Sequence, residues 1–216
     1  MSLQDHHSPT FGHLPTEKQL RIFRAAAEEF ALRGFDSAKM NTIAYGADVS
    51  VGSLYQYFEN KQALYLAVIH NSIAEMEELL DTLLHTDADI LLKAERILRE
   101  IQRFSRKERL LIKLYQGATA QNDPHLAAQL AAEIESVTAR IYRQAIQEAQ
   151  AAGEIRRDID ADFAAYMLNS FFMALQFSYS CEYHAERLRI YAGTSALERD
   201  DFVVEQVLNF FKSALR

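Results

Sequence analysis

The sequence predicts an all-α chain, and three observations carry that expectation. Gly and Pro number only 7 and 3 in 216 residues, too few for turn-rich β structure. Ala, Leu, Glu, Gln and Arg dominate, and these residues form helix readily. Apolar residues recur at helical spacing between recognisable start and stop signals. Apolar content is 49 % and Trp is absent, enough to fill a core in each of two small domains. The divisions read from the pattern are a flexible tail over 1–15, an N-terminal module over 16–76 and a C-terminal helical domain over 77–216.

Residues 1–15 hold three of the seven His and two of the three Pro, with no period. His6 and His7 are capable of binding metal, but the stretch reads as a mobile end. Thr16 opens the first long helix, with Gln19 completing a capping-box pattern. Leu20, Phe23, Ala27 and Phe30 form its apolar stripe, and Gly34 closes it. Phe35 is expected to pack back on the helix-turn-helix that follows.

Residues 40–47 and 51–57 read as two short helices joined through Asp48 and Val49. Met40, Ile43, Ala44 and Ala47 share one face of the first. Ser50 is a good N-cap for the second, since its hydroxyl can accept a free backbone N–H. Gly52 and Ser53 keep that helix slim, and Leu54 and Phe58 face inward at i, i+4. Val51, Ser53, Tyr55, Gln56 and Tyr57 are assigned to the outward side. A slim, polar-faced second helix at a steep angle to the first makes a helix-turn-helix suited to a major groove.

The same stretch resembles the DNA-binding motif of the TetR family of bacterial transcriptional regulators. The residues that carry the likeness are Gly34-Phe35, Ile43-Ala44, Ala47, Val49-Ser50, Gly52-Ser53-Leu54-Tyr55, Tyr57-Phe58, Lys61 and Ala63-Leu64. They lie in the first third of the chain. Ala38, Lys39, Thr42 and Asp48 depart from the family's usual Thr, Thr, Asp and Gly. Asp48 falls where the turn needs φ > 0, which Asp tolerates better than most non-glycine residues.

The DNA-contacting set expected on these grounds is Lys39, Thr42, Ser50, Val51, Gly52, Ser53, Tyr55, Gln56, Tyr57 and Lys61. Ser53, Tyr55 and Gln56 are assigned to bases, and Lys39, Tyr57 and Lys61 to the phosphate backbone. The net charge of −7 seems wrong for such a partner. However, residues 16–70 balance six Lys and Arg against six Asp and Glu, so the acidity lies elsewhere. Local charge facing phosphate matters more than the total. An electrostatically modest module should need two copies to bind tightly.

Asn60 can cap the next helix, expected from Lys61 to about Leu84 and therefore about 36 Å long at 1.5 Å per residue. Residues 85–89 break the pattern. Ile90, Leu91, Ala94, Ile97, Leu98 and Ile101 form an amphipathic stripe, and a further helix is expected over 106–118. Asp123-Pro124 is an N-cap followed by Pro at the first helical position, opening a helix that runs to Gly153. Asp160 caps a helix that is apolar nearly all round to about residue 183, so more than one side should be buried. A last helix is expected over 199–215.

Two such apolar C-terminal helices suggest a four-helix bundle shared with a second copy of the chain. The resemblance implies the same homodimer. It also implies an effector cavity among the middle helices. The lining residues proposed are Ile101, Phe104, Leu111, Tyr115, Tyr142, Phe171, Leu175 and Phe177, and few charges point inward, so an apolar or aromatic small molecule is expected.

No phosphate loop, nucleophile elbow or zinc-spaced Cys/His set is present in the sequence, so no enzyme, cofactor or metal site is expected. Cys181 is the lone cysteine, so no intrachain disulfide forms. With no signal peptide or apolar run of spanning length, a cytoplasmic protein is expected. The function expected is a ligand-released repressor binding a near-palindromic DNA operator. The alternative is an activator or protein-partner-controlled regulator on the same scaffold.

Overall fold

The computed structural model describes residues 6–216. Among them are eleven α-helices, one short 3-10 turn and no strand. The helices are α1 (Pro9–Gly12), α2 (Thr16–Ser37), α3 (Met40–Gly46), α4 (Val51–Tyr57), α5 (Lys61–Leu84), α6 (Ile90–Lys107), α7 (Arg109–Thr119), α8 (Pro124–Ala152), α9 (Ala161–Ser180), α10 (Glu182–Ala192) and α11 (Asp200–Leu215). The chain forms two compact units. One takes in the described residues up to Glu75 together with Lys113–Ile134; the other holds Met76–Ile112 and Glu135–Arg216.

In the first unit, α2 buries Ile22, Ala26, Ala27 and Phe30, while Leu20 is exposed. The expected stripe is therefore rotated, because it began one turn too early. Thr16 makes no capping bond. Gln19 turns away from the expected box and donates to the carbonyls of Leu14 (2.8 Å) and Gly12 (3.3 Å). Gly34 kinks α2 at φ 73°, ψ 163°, a region open essentially to glycine. Phe35 folds back as expected, but onto Phe30 and Tyr65 of α5, not onto the helix-turn-helix. Burial pushes the Tyr65 phenol up to about 12.

The segment before α2 departs most from expectation. Phe11 is 1 % exposed and packs on Phe23, Phe58 and Tyr57 with ring centroids 5.1, 4.7 and 5.9 Å away. Ser8 N–H donates to the Tyr57 carbonyl at 2.8 Å. Of the tail expected over 1–15, residues 1–5 lie outside the described residues. The remainder is a built part of this unit, held by one aromatic side chain that has no periodic neighbours to announce it.

In the second unit, α6 packs against α9 and α11. Asp89 caps α6 by accepting from Leu91 and Leu92 N–H, and the Glu154 carboxylate takes the Ile90 N–H at 2.7 Å. Gln102 donates to the Tyr179 hydroxyl (2.9 Å) and the Asp200 carbonyl (3.0 Å). Arg106 grips the Asp200 carboxylate through two 2.6 Å bonds and lies 4.5 Å over the Tyr179 ring. That guanidinium holds the Asp200 carboxyl below its usual range. The long helix expected to about residue 183 ends at Ser180. Cys181 is extended (φ −122°, ψ 125°), and α10 starts anew on α9.

Candidate nucleic-acid interface and effector cavity

The turn between α3 and α4 follows from backbone hydrogen bonds. Asp48 N–H reaches the Tyr45 carbonyl (3.2 Å) and Val49 N–H the Ala44 carbonyl (3.0 Å), the paired closure of a Schellman end. Asp48 takes the left-handed position at φ 54°. Arg21 of α2 donates to the Ala47 carbonyl at 2.8 Å, satisfying another free acceptor. Ser50 then caps α4, its Oγ accepting from Ser53 N–H at 2.9 Å. Leu54 and Phe58 are fully buried, as are Ile43 and Ala47. These contacts fix α4 from behind and leave its other side free.

The free side carries much of the expected set. Lys39, Thr42, Ser50, Gly52, Tyr55 and Gln56 are exposed, and Val51 and Ser53 are half-buried. The Ser53 hydroxyl is engaged with Ser50 Oγ at 2.8 Å. Two residues fall elsewhere. Tyr57 is 7 % exposed, with its ring near Phe11 and beneath Lys18 Nζ. It follows Leu54 by three positions, so the helix carries it inward. Lys61 Nζ donates to the carbonyls of Asp36 (2.9 Å) and Ala38 (3.3 Å) and lies 4.9 Å from the Phe35 ring centroid. Its charge is spent holding the α2–α3 loop, not reaching outward. Tyr45 was missed. It is 90 % exposed, three residues after Thr42 on the outward face of α3. An aromatic opposite the Ile43/Ala44 face is the signal that would have found it.

The second unit holds an apolar cavity of about 20 Å³ lined by Leu84, Ile90, Leu91, Ala94, Ile97, Tyr142, Ala145, Ile146, Leu168, Phe172, Phe211 and Leu215. Of the eight expected lining residues only Tyr142 reaches it, and burial raises its phenol pKa. Leu175 is buried, and Ile101, Phe104 and Leu111 are half-buried, but none of these lines the cavity. Phe171 stacks on Phe210 and is 37 % exposed, and Phe177 packs against His184. Tyr115 belongs to the other unit. Phe171 and Phe177 thus have packing partners in the protein, and periodicity does not distinguish such packing from a binding wall.

Residues 22–68 match the family model for bacterial regulatory proteins of the tetR family. This segment is a TetR-type DNA-binding domain. Over 163 residues it is 28 % identical to the HTH-type transcriptional regulator UidR of Escherichia coli K12, covering 72 % of this chain and 80 % of that one. A TetR family regulator from Chloroflexus aurantiacus superposes over 97 % of this chain and 98 % of its own, with TM-score 0.67 and 25 % identity. The fold also matches Bacillus subtilis FadR in complex with stearoyl-CoA, with TM-score 0.71 and 19 % identity over 88 % of this chain and 97 % of that one. With this domain and these relatives, the chain is a DNA-binding transcriptional regulator, not an enzyme. Among its described residues no helix is long and apolar enough to cross a membrane.

Proposed function

We propose that the chain acts as a homodimeric repressor that places α4 of each protomer in a major groove of a near-palindromic operator. The observation that carries this reading is the exposed face of α4, where Tyr55 and Gln56 stand clear of a helix locked from behind by Leu54 and Phe58. Tyr45, Thr42 and Lys39 extend that face along α3 and its start. The two half-sites should lie roughly 34–36 Å apart or a modest offset beyond. In this reading residues 16–76 read DNA, while 77–216 dimerise and hold an apolar or aromatic small-molecule effector that releases the operator.

The test is selection of bound fragments from random genomic DNA, followed by titration of the selected duplex. The expected result is a palindromic consensus, with Gln56→Ala relaxing preference at one position by roughly tenfold, about 1–3 kcal/mol per lost bidentate pair. Equal losses on specific and random duplex would remove Gln56 from the base-reading set. A failure to enrich any fragment at low salt would end the reading.

One observation favours the second reading, control by a protein partner. The apolar cavity of about 20 Å³ has room for a water molecule and not for an organic effector. The roomier cleft of about 380 Å³ in the same unit is lined by the charged Arg106, Arg109, Glu182 and Arg189, unlike the wall expected for an apolar effector. Native mass spectrometry of the purified protein separates the two. A co-purifying small molecule supports effector control, and release of operator only by a protein fraction supports the partner.

A further inference from the structure

We propose that His6, His70 and Glu133 form a binding site for a divalent transition-metal ion of the zinc class. His6 precedes α1, His70 lies on α5 and Glu133 on α8, and all three belong to the first unit. One donor atom from each falls within 4.8 Å of the others, the one such His/Cys/Asp/Glu group of three among the described residues. His6 Nε2 stands 2.9 Å from Glu133 Oε1, with these side chains only 9 % and 14 % exposed.

Two atoms of the cluster are buried and make no hydrogen bond: His70 Nδ1 and Glu133 Oε2. Leaving such groups unsatisfied costs about 1–3 kcal/mol each. A single cation among the three side chains would answer the carboxylate and the imidazoles together. Gln129 donates to Glu133 Oε1 at 3.3 Å and accepts from Gln62, so the carboxylate is oriented by its neighbours, as metal-binding carboxylates commonly are.

The donor set selects the metal. Two imidazole nitrogens and one carboxylate oxygen suit Zn²⁺, with Co²⁺ and Ni²⁺ as analogues; Ca²⁺ and Mg²⁺ prefer all-oxygen shells. Around a tetrahedral ion with bonds of roughly 2.1 Å, donors stand about 3.4 Å apart, and water completes the fourth position. The widest pair must therefore draw in by up to about 1.4 Å, while His6 Nε2 and Glu133 Oε1, at 2.9 Å, part slightly to admit the ion. His6 lies outside any helix and can supply that movement. Two residues on, Ser8 N–H holds the Tyr57 carbonyl. The ion would thus tie α5 and α8 to the segment that braces the end of α4.

The test uses the full chain, stripped with a chelator and titrated with Zn²⁺ against a chromophoric competitor. We expect one tight equivalent per chain. His70→Ala and Glu133→Gln should each weaken binding at least tenfold, and His6→Ala should do so without touching any helix. The Co²⁺-loaded chain should show ligand-field bands that His70→Ala abolishes. Melting of each metal-free variant confirms that it folds. The joint variant His7→Ala with His13→Ala should bind as tightly as the parent. Uptake at weak multiple sites only, unchanged affinity in the His6 and His70 variants, or loss of binding in the His7/His13 variant would each overturn the proposal.

Discussion

At the scale of single residues, the backbone at Gly34 carries a cost for any side chain. A Cβ there would meet nothing within 4 Å, so crowding is not at issue. The φ of 73° with ψ 163° is the constraint. Gly34→Ala should destabilise the chain by about 1–3 kcal/mol, read as a fall in the urea midpoint at unchanged slope. Lys61 makes a second case. Its ammonium caps two carbonyls, so Lys61→Met should lower stability by about 1 kcal/mol. The slope of operator affinity against salt should stay as it was. A flatter slope would return Lys61 to the phosphate-contacting set. His184 makes a third. Its Nδ1 is buried without a partner, its ring packs on Phe177 and Tyr183, and burial with Arg187 nearby lowers its pKa from the usual 6.5. Above pH 6.5 the imidazole is neutral folded or unfolded and costs nothing. Below it the unfolded chain takes the proton first, so stability declines as pH falls through the lowered folded value. Urea midpoints at pH 7.5 and 5.5 should converge in His184→Gln relative to the parent.

At the scale of elements, legibility followed hydrogen-bonding chemistry. Ser50, Asn60, Asp123 and Asp160 each accept a backbone N–H at the helix start they were assigned. A cap is a local contract between neighbours in sequence, so it can be read there. The α9–α10 break lacked such a mark, and at α1 Ser8 stands before Pro9 at the helix start without making a side-chain cap bond. α1 spans four residues, too short for a period. The chain bends at Cys181 with neither Gly nor Pro, and the apolar pattern runs on across it. The exposed residues of α4 were legible because the helix is two turns long and its buried side is plain. Even there, Leu54, Tyr57 and Phe58 at i, i+3, i+4 already placed Tyr57 inside. Lys61 was different in kind. Only the fold brings the Asp36 and Ala38 carbonyls to it, some 23 to 25 residues away in sequence. α1 now yields its own prediction. Phe11→Ala empties a site enclosed by three aromatic rings and should cost about 3–5 kcal/mol. A change near zero by calorimetry would restore these residues to the status of a loose end.

At the scale of the whole molecule, the exposed apolar side chains of the second unit raise the question of assembly. Phe163, Tyr166, Met167 and Phe171 along α9 are 63, 64, 48 and 37 % exposed, and Phe210 of α11 is 56 % exposed. Phe171 and Phe210 stack at 5.5 Å, so the two helices share this surface. Large aromatic residues gathered on one face mark an interaction site far better than the same residues scattered singly. In the proposed homodimer a two-fold partner meets that face with itself, which makes substitutions count twice. Phe163→Glu with Tyr166→Glu, at positions whose rings, among the described residues, pack only on each other, should therefore bring like charges together in one interface while leaving each protomer's core untouched. Sedimentation should report about twice the 24.7 kDa chain mass for the parent and one chain for the variant. The variant should keep its helical circular dichroism and lose operator affinity by far more than tenfold, because each protomer then offers one neutral half-site reader on its own. A variant that stays dimeric would move the interface elsewhere. A monomer that binds operator undiminished would sever dimerisation from recognition, and with it the expectation of a palindrome.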